Sequence, residues 1–167
     1  MPANWDARGR LVSITKNGAT VASYTYASNG IRTSATEGGV TTTFTLDGTL
    51  CVNEAQSSSS TASMFAPTGV ICRGTQWFTP DANGSIASVT DSSGNAVAQN
   101  RYGVFGQMVT TNPNSGNPLQ FLGGMGDPST GLDYGIDHGF YEPTLGMSVG
   151  SGGGLASIAS IAPGGLG

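Results

Sequence analysis

The sequence predicts an all-β protein made of short antiparallel hairpins, and three observations support this fold class. Glycine accounts for 27 of the 167 residues, while charged residues make up only 10%, against roughly 25% in ordinary globular domains. Polar and apolar side chains alternate along short stretches such as residues 23–26 and 43–46, which is the pattern of a half-buried strand. Asn-Gly and Asp-Gly pairs separate these stretches and supply the positive φ angles of tight hairpin turns.

The individual elements follow from the same signals. Strands are predicted at residues 11–15, 20–26, 40–46, 49–52, 69–72, 76–79, 86–90, 96–102 and 107–110. Turns are predicted at Asn17-Gly18, Asn29-Gly30, Gly38-Gly39, Asp47-Gly48, Asn83-Gly84 and Gly94-Asn95. The serine-rich stretch 57–63 is expected to be an exposed loop.

A short motif recurs along the chain: an aromatic residue, three further residues, then glycine. Three copies end at Gly9, Gly30 and Gly106, and turn glycines recur about every 20 residues, with 21 residues from Gly9 to Gly30 and 22 from Gly84 to Gly106. Such a period is typical of stacked repeats that bury their faces only against neighbouring units. We expect the aromatic side chain to pack on the inner face and the glycine to turn the chain. The repeat residues are Trp5, Gly9, Tyr26, Gly30, Trp77, Gly84, Tyr102 and Gly106.

The repeats resemble those of the YD-repeat, or RHS-repeat, proteins. Residues 5–15, WDARGRLVSIT, are similar to the repeat of that family, which reads Tyr-Asp-x-x-Gly-Arg-Leu before a strand. Residues 77–106 resemble its last repeats, and residues 117–146 resemble its RHS repeat-associated core. The residues that carry the core resemblance are Gly131, Leu132, Tyr134, Tyr141, Pro143 and Gly146.

The resemblance implies a sheet of stacked antiparallel β-hairpins that forms an open or partial shell. It divides the chain into repeats at 1–112, a core-like segment at 113–147 and an irregular Gly-rich tail at 148–167. Proteins of this type are usually secreted or displayed at the cell surface, and many enclose a C-terminal toxin. This chain departs from the pattern because Gly139 stands where the family core usually has arginine, and residues 148–167 do not resemble a toxin domain.

Charge and cysteine content limit the function classes further. Residues 102–167 contain four acids and no lysine or arginine, so the net charge of −4 arises there; without a basic patch we expect no nucleic-acid binding. Residues 155–162, the longest apolar candidate, are too few to span a bilayer, and no signal peptide is recognised at the start. Cys51 and Cys72 are predicted to form a disulfide across neighbouring strands if the chain is secreted, with two buried free thiols as the alternative.

Residues 126–146 also admit three chemical interpretations. Asp127 begins a stretch that partly resembles an aspartyl self-cleavage motif, for which Glu142 would be the nearest second carboxylate. Asp133, Asp137, His138 and Glu142 offer ligands to a hard cation, although their spacing matches no loop motif. A Ser-His-Asp triad would need His138, the sole histidine, and no nucleophile elbow accompanies it. We therefore expect no catalytic residues, no metal site, no cofactor and no enzyme activity.

The same stretch is instead expected to close the β stack. Leu132, Tyr134, Phe140 and Tyr141 are its expected anchors, and its carboxylates are expected to face solvent. The tail is interpreted as a linker or as a short apolar plug that docks on a neighbour.

The sequence favours a non-enzymatic, secreted or surface-displayed bacterial structural protein that assembles with copies of itself or with a larger RHS-type shell. A short stack has open ends, exposed strand edges and few charges to prevent pairing. One alternative is a fragment of a toxin-encapsulating delivery shell. Another is an adhesive or carbohydrate-binding module that uses Trp5, Trp77 and the tyrosines; a small-molecule ligand is not indicated.

Overall fold

The computed structural model describes residues 2–67, 69–109, 116–135 and 139–149, and almost all regular structure in them is β. Eleven strands come first: β1 (Ala3–Trp5), β2 (Leu11–Lys16), β3 (Ala19–Tyr26), β4 (Arg32–Glu37), β5 (Val40–Asp47), β6 (Leu50–Gln56), β7 (Ser59–Ala66), β8 (Gly69–Arg73), β9 (Gln76–Pro80), β10 (Ile86–Thr90) and β11 (Ala96–Gln99). A 3₁₀ turn at Phe121–Gly123 precedes four more: β12 (Met125–Asp127), β13 (Leu132–Tyr134), β14 (Phe140–Glu142) and β15 (Met147–Val149).

The strands form two antiparallel meanders. In the first, which we call the wall sheet, β1 to β11 lie in chain order and each pairs with the next. Its terminal strands β1 and β11 do not pair with each other, so this sheet is open rather than closed into a barrel. In the second, which we call the closing sheet, β12 to β15 also follow chain order. The all-β fold of stacked antiparallel hairpins is thus confirmed.

The repeat glycines form turns with one shared hydrogen-bond pattern. In each turn the glycine N–H donates to the carbonyl of the residue three positions earlier, and the glycine φ lies between 76° and 92°, a range that side chains disfavour. The turns end at Gly9, Gly30, Gly84, Gly94 and Gly106. In three of them the earlier residue is an aspartate whose carboxylate accepts further backbone N–H bonds, namely Asp6, Asp81 and Asp91.

The closing sheet packs on one face of the wall sheet and completes its main core. Leu132, Phe140 and Val149 of the closing sheet belong to the same buried cluster as Leu11 and Ile14 of the wall. A second cluster lies under β9 to β11. Because strand side chains alternate between faces, the apolar side chains of the wall concentrate on the face that the closing sheet covers. The members of the second cluster are Phe78, Ile86, Val89, Ala98 and Leu119.

The sequence did not predict strands β1, β4 and β7 of the wall sheet or the four short strands of the closing sheet, and one predicted strand is reduced to a single bridge. The expected loop at 57–63 is wrong, because only Ser57 and Ser58 form a turn and β7 begins at Ser59. Strand β4 has little apolar alternation, yet it pairs fully between β3 and β5. In the described part of the predicted strand 107–110, Met108 makes a single bridge to Tyr102.

The predicted disulfide is not formed. Cys51 and Cys72 are free thiols, and they lie on β6 and β8, which β7 separates. Each thiol instead donates to a backbone carbonyl two residues further along the chain, at Asn53 and Gly74. The prediction is wrong because residues 59–66 form strand β7, which lies between β6 and β8 and separates the two cysteines.

One repeat aromatic faces solvent. Trp5 packs against the main core, but Trp77 is 46% exposed. Strand alternation explains this, since the next residue, Phe78, is the one that points into the second core cluster. No helix long and apolar enough to cross a membrane is found among the described residues.

Candidate functional site

The candidate site lies where the closing sheet meets the wall sheet, around two acid-Pro turns. Asp127-Pro128 begins the turn between β12 and β13, and Glu142-Pro143 begins the turn between β14 and β15. In both turns the N–H of the glycine four positions later donates to the carbonyl of the acidic residue, at 2.7 Å for Gly131 and 2.9 Å for Gly146. The two motifs singled out from the sequence are therefore equivalent turns in one small sheet.

The expectation that these acids face solvent is wrong. Asp127, Asp133 and Glu142 are each 5% exposed or less. Two of these carboxylates accept backbone hydrogen bonds within their own turns. Asp127 Oδ1 accepts the Ser129 N–H at 2.8 Å, and Glu142 Oε1 accepts the Thr144 N–H at 2.9 Å. These bonds give the buried carboxylates local hydrogen-bond partners inside the closing sheet.

Asp127 also connects the two sheets. Its Oδ2 accepts the hydroxyl of Tyr24 from β3 at 2.8 Å and the hydroxyl of Thr130 at 2.7 Å. Burial, with the nearby Asp127 carboxylate, raises the pKa of Tyr24, so this hydroxyl remains a donor. Tyr24 and Phe140 then stack obliquely, with ring centroids 4.7 Å apart. The closing sheet is therefore attached to the wall by a buried polar bond beside an aromatic contact.

Two further carboxyl groups at this interface hold protons unusually tightly. Burial, reinforced by the charge of Asp127, raises the pKa of Glu37 on β4 to about 7. Burial, reinforced by Glu142, raises the pKa of Asp133 to about 6, and Asp133 Oδ2 is buried without a hydrogen-bond partner. Such groups exchange protons near neutral pH. This is the acid–base capacity that the described carboxylates provide.

Arg32 is the buried cation of the interface and is 3% exposed. Its guanidinium carbon lies 4.1 Å from the Tyr134 ring centroid and 4.9 Å from that of Phe44. It is also 5.6 Å from the Tyr24 centroid and 5.8 Å from that of Phe140. We call these four rings the aromatic box. Cation–π attraction offsets part of the cost of burying the charge, and burial lowers the pKa of Arg32.

A cleft of about 530 Å³ opens beside the aromatic box, between the wall and the segment that leads into the closing sheet. Its lining is mostly apolar, and the side chains come from both sheets and from the 3₁₀ turn. Arg32 and Glu54 are its charged lining residues. The apolar lining includes Phe44, Leu46, Phe65, Val70, Leu119 and Met125.

The predicted anchors come together in the closing sheet, although not all are buried. Leu132 is 1% exposed, Tyr134 is half-buried against the core, and the Tyr141 hydroxyl donates to the Phe105 carbonyl at 2.8 Å. The six repeat and core glycines noted in the sequence, from Gly9 to Gly146, all have positive φ. Pro143 follows the buried Glu142 in its turn.

Two of the residues on which the metal and triad hypotheses depend lie outside the part of the chain that the structure describes. Asp137 and His138 lie outside the described residues, as does the tail from residue 150 onward. Among the described residues no group of three potential ligands could hold a metal ion. Sequence reasoning missed Arg32, Glu37 and Tyr24, because a charged or phenolic residue inside a strand gives no spacing signal of its own.

Comparison with known proteins identifies a fold rather than an activity. No family model matches the sequence. The chain is 27% identical over 157 residues to the tRNA3(Ser)-specific nuclease WapA of Bacillus spizizenii, and equally to the tRNA nuclease WapA of Bacillus subtilis. Each match covers 86% of this chain but 7% of the relative. The nuclease activity in those names is a property of those much longer proteins.

Solved structures of toxin complexes are similar over most of the chain. A crystal structure of TcdB2–TccC3–Cdc42 superposes on 87% of this chain and 9% of its own, with a TM-score of 0.61 and 18% identity. The Photorhabdus luminescens Tc holotoxin pore with the TccC3 D651A mutation covers 87% of this chain and 8% of its own, with a TM-score of 0.63 and 16% identity. This chain thus has an RHS-repeat-like fold and corresponds to a short segment of such proteins.

Proposed function

We propose that this chain is a non-enzymatic structural module, a segment of an RHS-type shell wall that extends by pairing its free edges with further strands. Those strands belong to copies of itself or to a larger shell. In this function the wall sheet forms the barrier and the closing sheet lines its inner face. A secreted or surface location is part of the proposal.

One observation carries the proposal. The wall sheet is an open, sequential meander whose terminal strands β1 and β11 each pair with one other named strand. Edge strands present unpaired backbone groups to any strand that can lie beside them. Charged side chains, which proteins use to block such edges, are scarce in this sequence at 10%. The likeness to segments of far longer toxin-complex chains supports the same conclusion.

The shell-fragment alternative differs only in which strands the edges meet. If the strands that pair with these edges belong to a longer shell, we expect coding sequence for many more repeats beside the sequence that encodes this segment. If they come from copies, the purified chain assembles alone. The adhesive alternative draws on the exposed Trp77, and a glycan array without hits would argue against it.

Light scattering coupled to size-exclusion chromatography over a range of concentrations tests edge pairing. The wild-type chain is expected to give a mass above one chain that rises with concentration. A double variant, Asn4→Lys and Gln99→Lys, places a cation on an exposed position of each terminal strand and is expected to reduce that mass, since edge lysines oppose strand addition.

A matched double variant carries the same added charge in the middle of the sheet. Thr43→Lys and Thr45→Lys alter exposed positions of β5, which already has a strand on each side, and should assemble as wild type does. A wild-type monomer at every concentration would refute self-pairing. An equal loss of assembly in both double variants would show that the added charge itself, rather than blocking of the terminal strands, prevents assembly.

A further inference from the structure

We propose that the cleft beside the aromatic box binds an elongated apolar carboxylate, such as a medium-chain fatty acid, with its carboxylate against Arg32 and its chain along the apolar lining. This binding site is separate from the edge pairing proposed above. It rests on three features of the described residues: the charge of Arg32, the neutralised state of the other charged lining residue, and the shape and chemistry of the cleft.

Arg32 forms no ion pair with an acid in the described part of the chain, although the Glu37 carboxyl group interacts with its charge at longer range. The ion pairs found there are Arg10–Asp6 and Arg73–Glu54. Arg32 Nη2 donates only to the Met125 sulfur, at 3.3 Å, and Nε is buried without a hydrogen-bond partner. Thioether sulfur is a weak acceptor, and a buried unpaired charge is costly. A carboxylate in the cleft would supply charge-assisted bonds that the protein itself does not provide.

The other charged residue of the cleft is already neutralised. Glu54 Oε1 and Oε2 accept two bonds from the Arg73 guanidinium, each 2.8 Å long. Glu54 therefore presents no free charge that would repel an anion. One unpaired cation among neutral walls suits a singly charged carboxylate better than a phosphate, whose second charge would find no partner here.

The remaining lining suits a hydrocarbon chain. The cleft of about 530 Å³ falls in the range of roughly 300–1,000 Å³ that is usual for small-molecule sites. Apolar residues from β5 to β8 line it, together with Ile86 and Leu119 of the second core cluster. An apolar cavity with one fixed polar group at its end orients a ligand that has the same division.

Isothermal titration of the full-length chain with dodecanoate, below its critical micelle concentration, tests the proposal. The matched probes are 1-dodecanol, which keeps the chain without the charge, and dodecyltrimethylammonium, which reverses the charge. Dodecanoate is expected to bind saturably, one molecule per chain, with a Kd at least about tenfold lower than that of 1-dodecanol, which corresponds to about 1.4 kcal/mol. Dodecyltrimethylammonium is expected to bind more weakly than either.

Two variants separate the charge from the apolar walls. Arg32→Met keeps an unbranched side chain within the aromatic box and is expected to raise the Kd of dodecanoate about tenfold while leaving that of 1-dodecanol unchanged. Leu50→Trp narrows the cleft, where Leu50 is a lining residue, and should weaken both ligands. Val40→Trp, at a similarly exposed position outside the lining, is the control and should bind as wild type.

Three outcomes would overturn the proposal. Equal affinity for dodecanoate and 1-dodecanol in the wild-type chain would show that Arg32 does not select an anion, and this comparison needs no variant to fold. Absence of saturable binding would exclude the site. Binding only after Ile158→Asp, and none by the wild-type chain, would show that the chain's own tail is the occupant.

Discussion

The Asp127 carboxylate of the closing sheet accepts a hydrogen bond from the Tyr24 hydroxyl of the wall sheet, and this bond joins the two sheets. Tyr24→Phe removes the donor and is expected to lower the free energy of unfolding by about 1.5–3 kcal/mol, the usual cost for a bond to a charged group. Tyr102→Phe is the matched control, because its hydroxyl donates to the neutral Ile86 carbonyl at 2.9 Å, and should cost about 0.5–1.5 kcal/mol. Urea denaturation of both variants measures the difference, and an equal loss would contradict this role of Asp127.

The buried carboxyl groups predict a pH dependence of stability. Glu37 and Asp133 have folded pKa values of about 7 and about 6, raised above ordinary values of 4.5 and 3.8. At a pH between the ordinary and the folded pKa of each group, the folded chain therefore binds more protons than the unfolded chain. Their contribution is fully present below the unfolded pKa and is lost as pH rises through the folded pKa. The melting temperature is thus expected to fall from pH 5 to pH 8.

Thermal melts at pH 5, 6, 7 and 8 check this direction. Glu37→Gln and Asp133→Asn should each flatten the profile, since the amide neither titrates nor repels its acidic neighbour. Asp6 and Asp91 have lowered pKa values from hydrogen bonds to Arg10 and Asn95, respectively, so they act below this window. A melting temperature that rises toward pH 8 would contradict the assignment.

Single residues were the least predictable part of the molecule. The sequence indicated that the two acid-Pro pairs matter, but the pattern could not show that their carboxylates turn inward. Acids in a Gly-rich, turn-rich stretch normally remain solvated, and here the Asp127 bond to Tyr24 spans 103 residues. Arg32 was missed for the same reason, because its aromatic box is assembled from both sheets.

At the scale of elements, the closing sheet stabilises the wall through its apolar face. Leu132→Ala is expected to cost about 2–4 kcal/mol, as usual for a fully buried leucine. Leu145→Ala, at a position 48% exposed in the same sheet region, should change stability by less than about 0.5 kcal/mol. Chemical denaturation compares the two, and a small effect at Leu132 would mean that the closing sheet does not contribute to the folding unit.

The repeat turns make a second prediction at this scale. Gly94 and Gly106 both have positive φ, so alanine at either should cost about 1–2 kcal/mol of backbone strain. At Gly94 a Cβ would meet nothing within 4 Å, whereas at Gly106 it would meet the ring of Phe121. Gly106→Ala should therefore cost about 1–3 kcal/mol more than Gly94→Ala. Equal melting temperatures would contradict the turn geometry.

Most strands were predictable because turn chemistry and alternation are local signals. The Asn-Gly and Gly-Gly pairs locate the hairpins, and the strands at 20–26 and 40–46 differ from β3 and β5 by one residue at an end. Strands β4 and β7 were missed because they are rich in threonine, serine and alanine. Their pairing is imposed by neighbours on both sides rather than by their own periodicity, and the disulfide error followed from the missing β7.

At the scale of the whole molecule, the fold explains why a low-charge, Gly-rich chain forms an ordered structure. The wall sheet is only one layer, and a sheet needs a second layer over its apolar face. The closing sheet provides that layer for the main core. Among the described strands of the wall sheet, β1 and β11 each keep one outer edge that pairs with no named strand, and such an edge can accept a further strand.

Cryo-electron microscopy of the purified chain tests this account most directly. It predicts assemblies in which the wall sheet continues from one chain to the next, with terminal strands paired edge to edge and the closing sheet on the inner face. Single chains with both wall edges open to solvent at every concentration would contradict it.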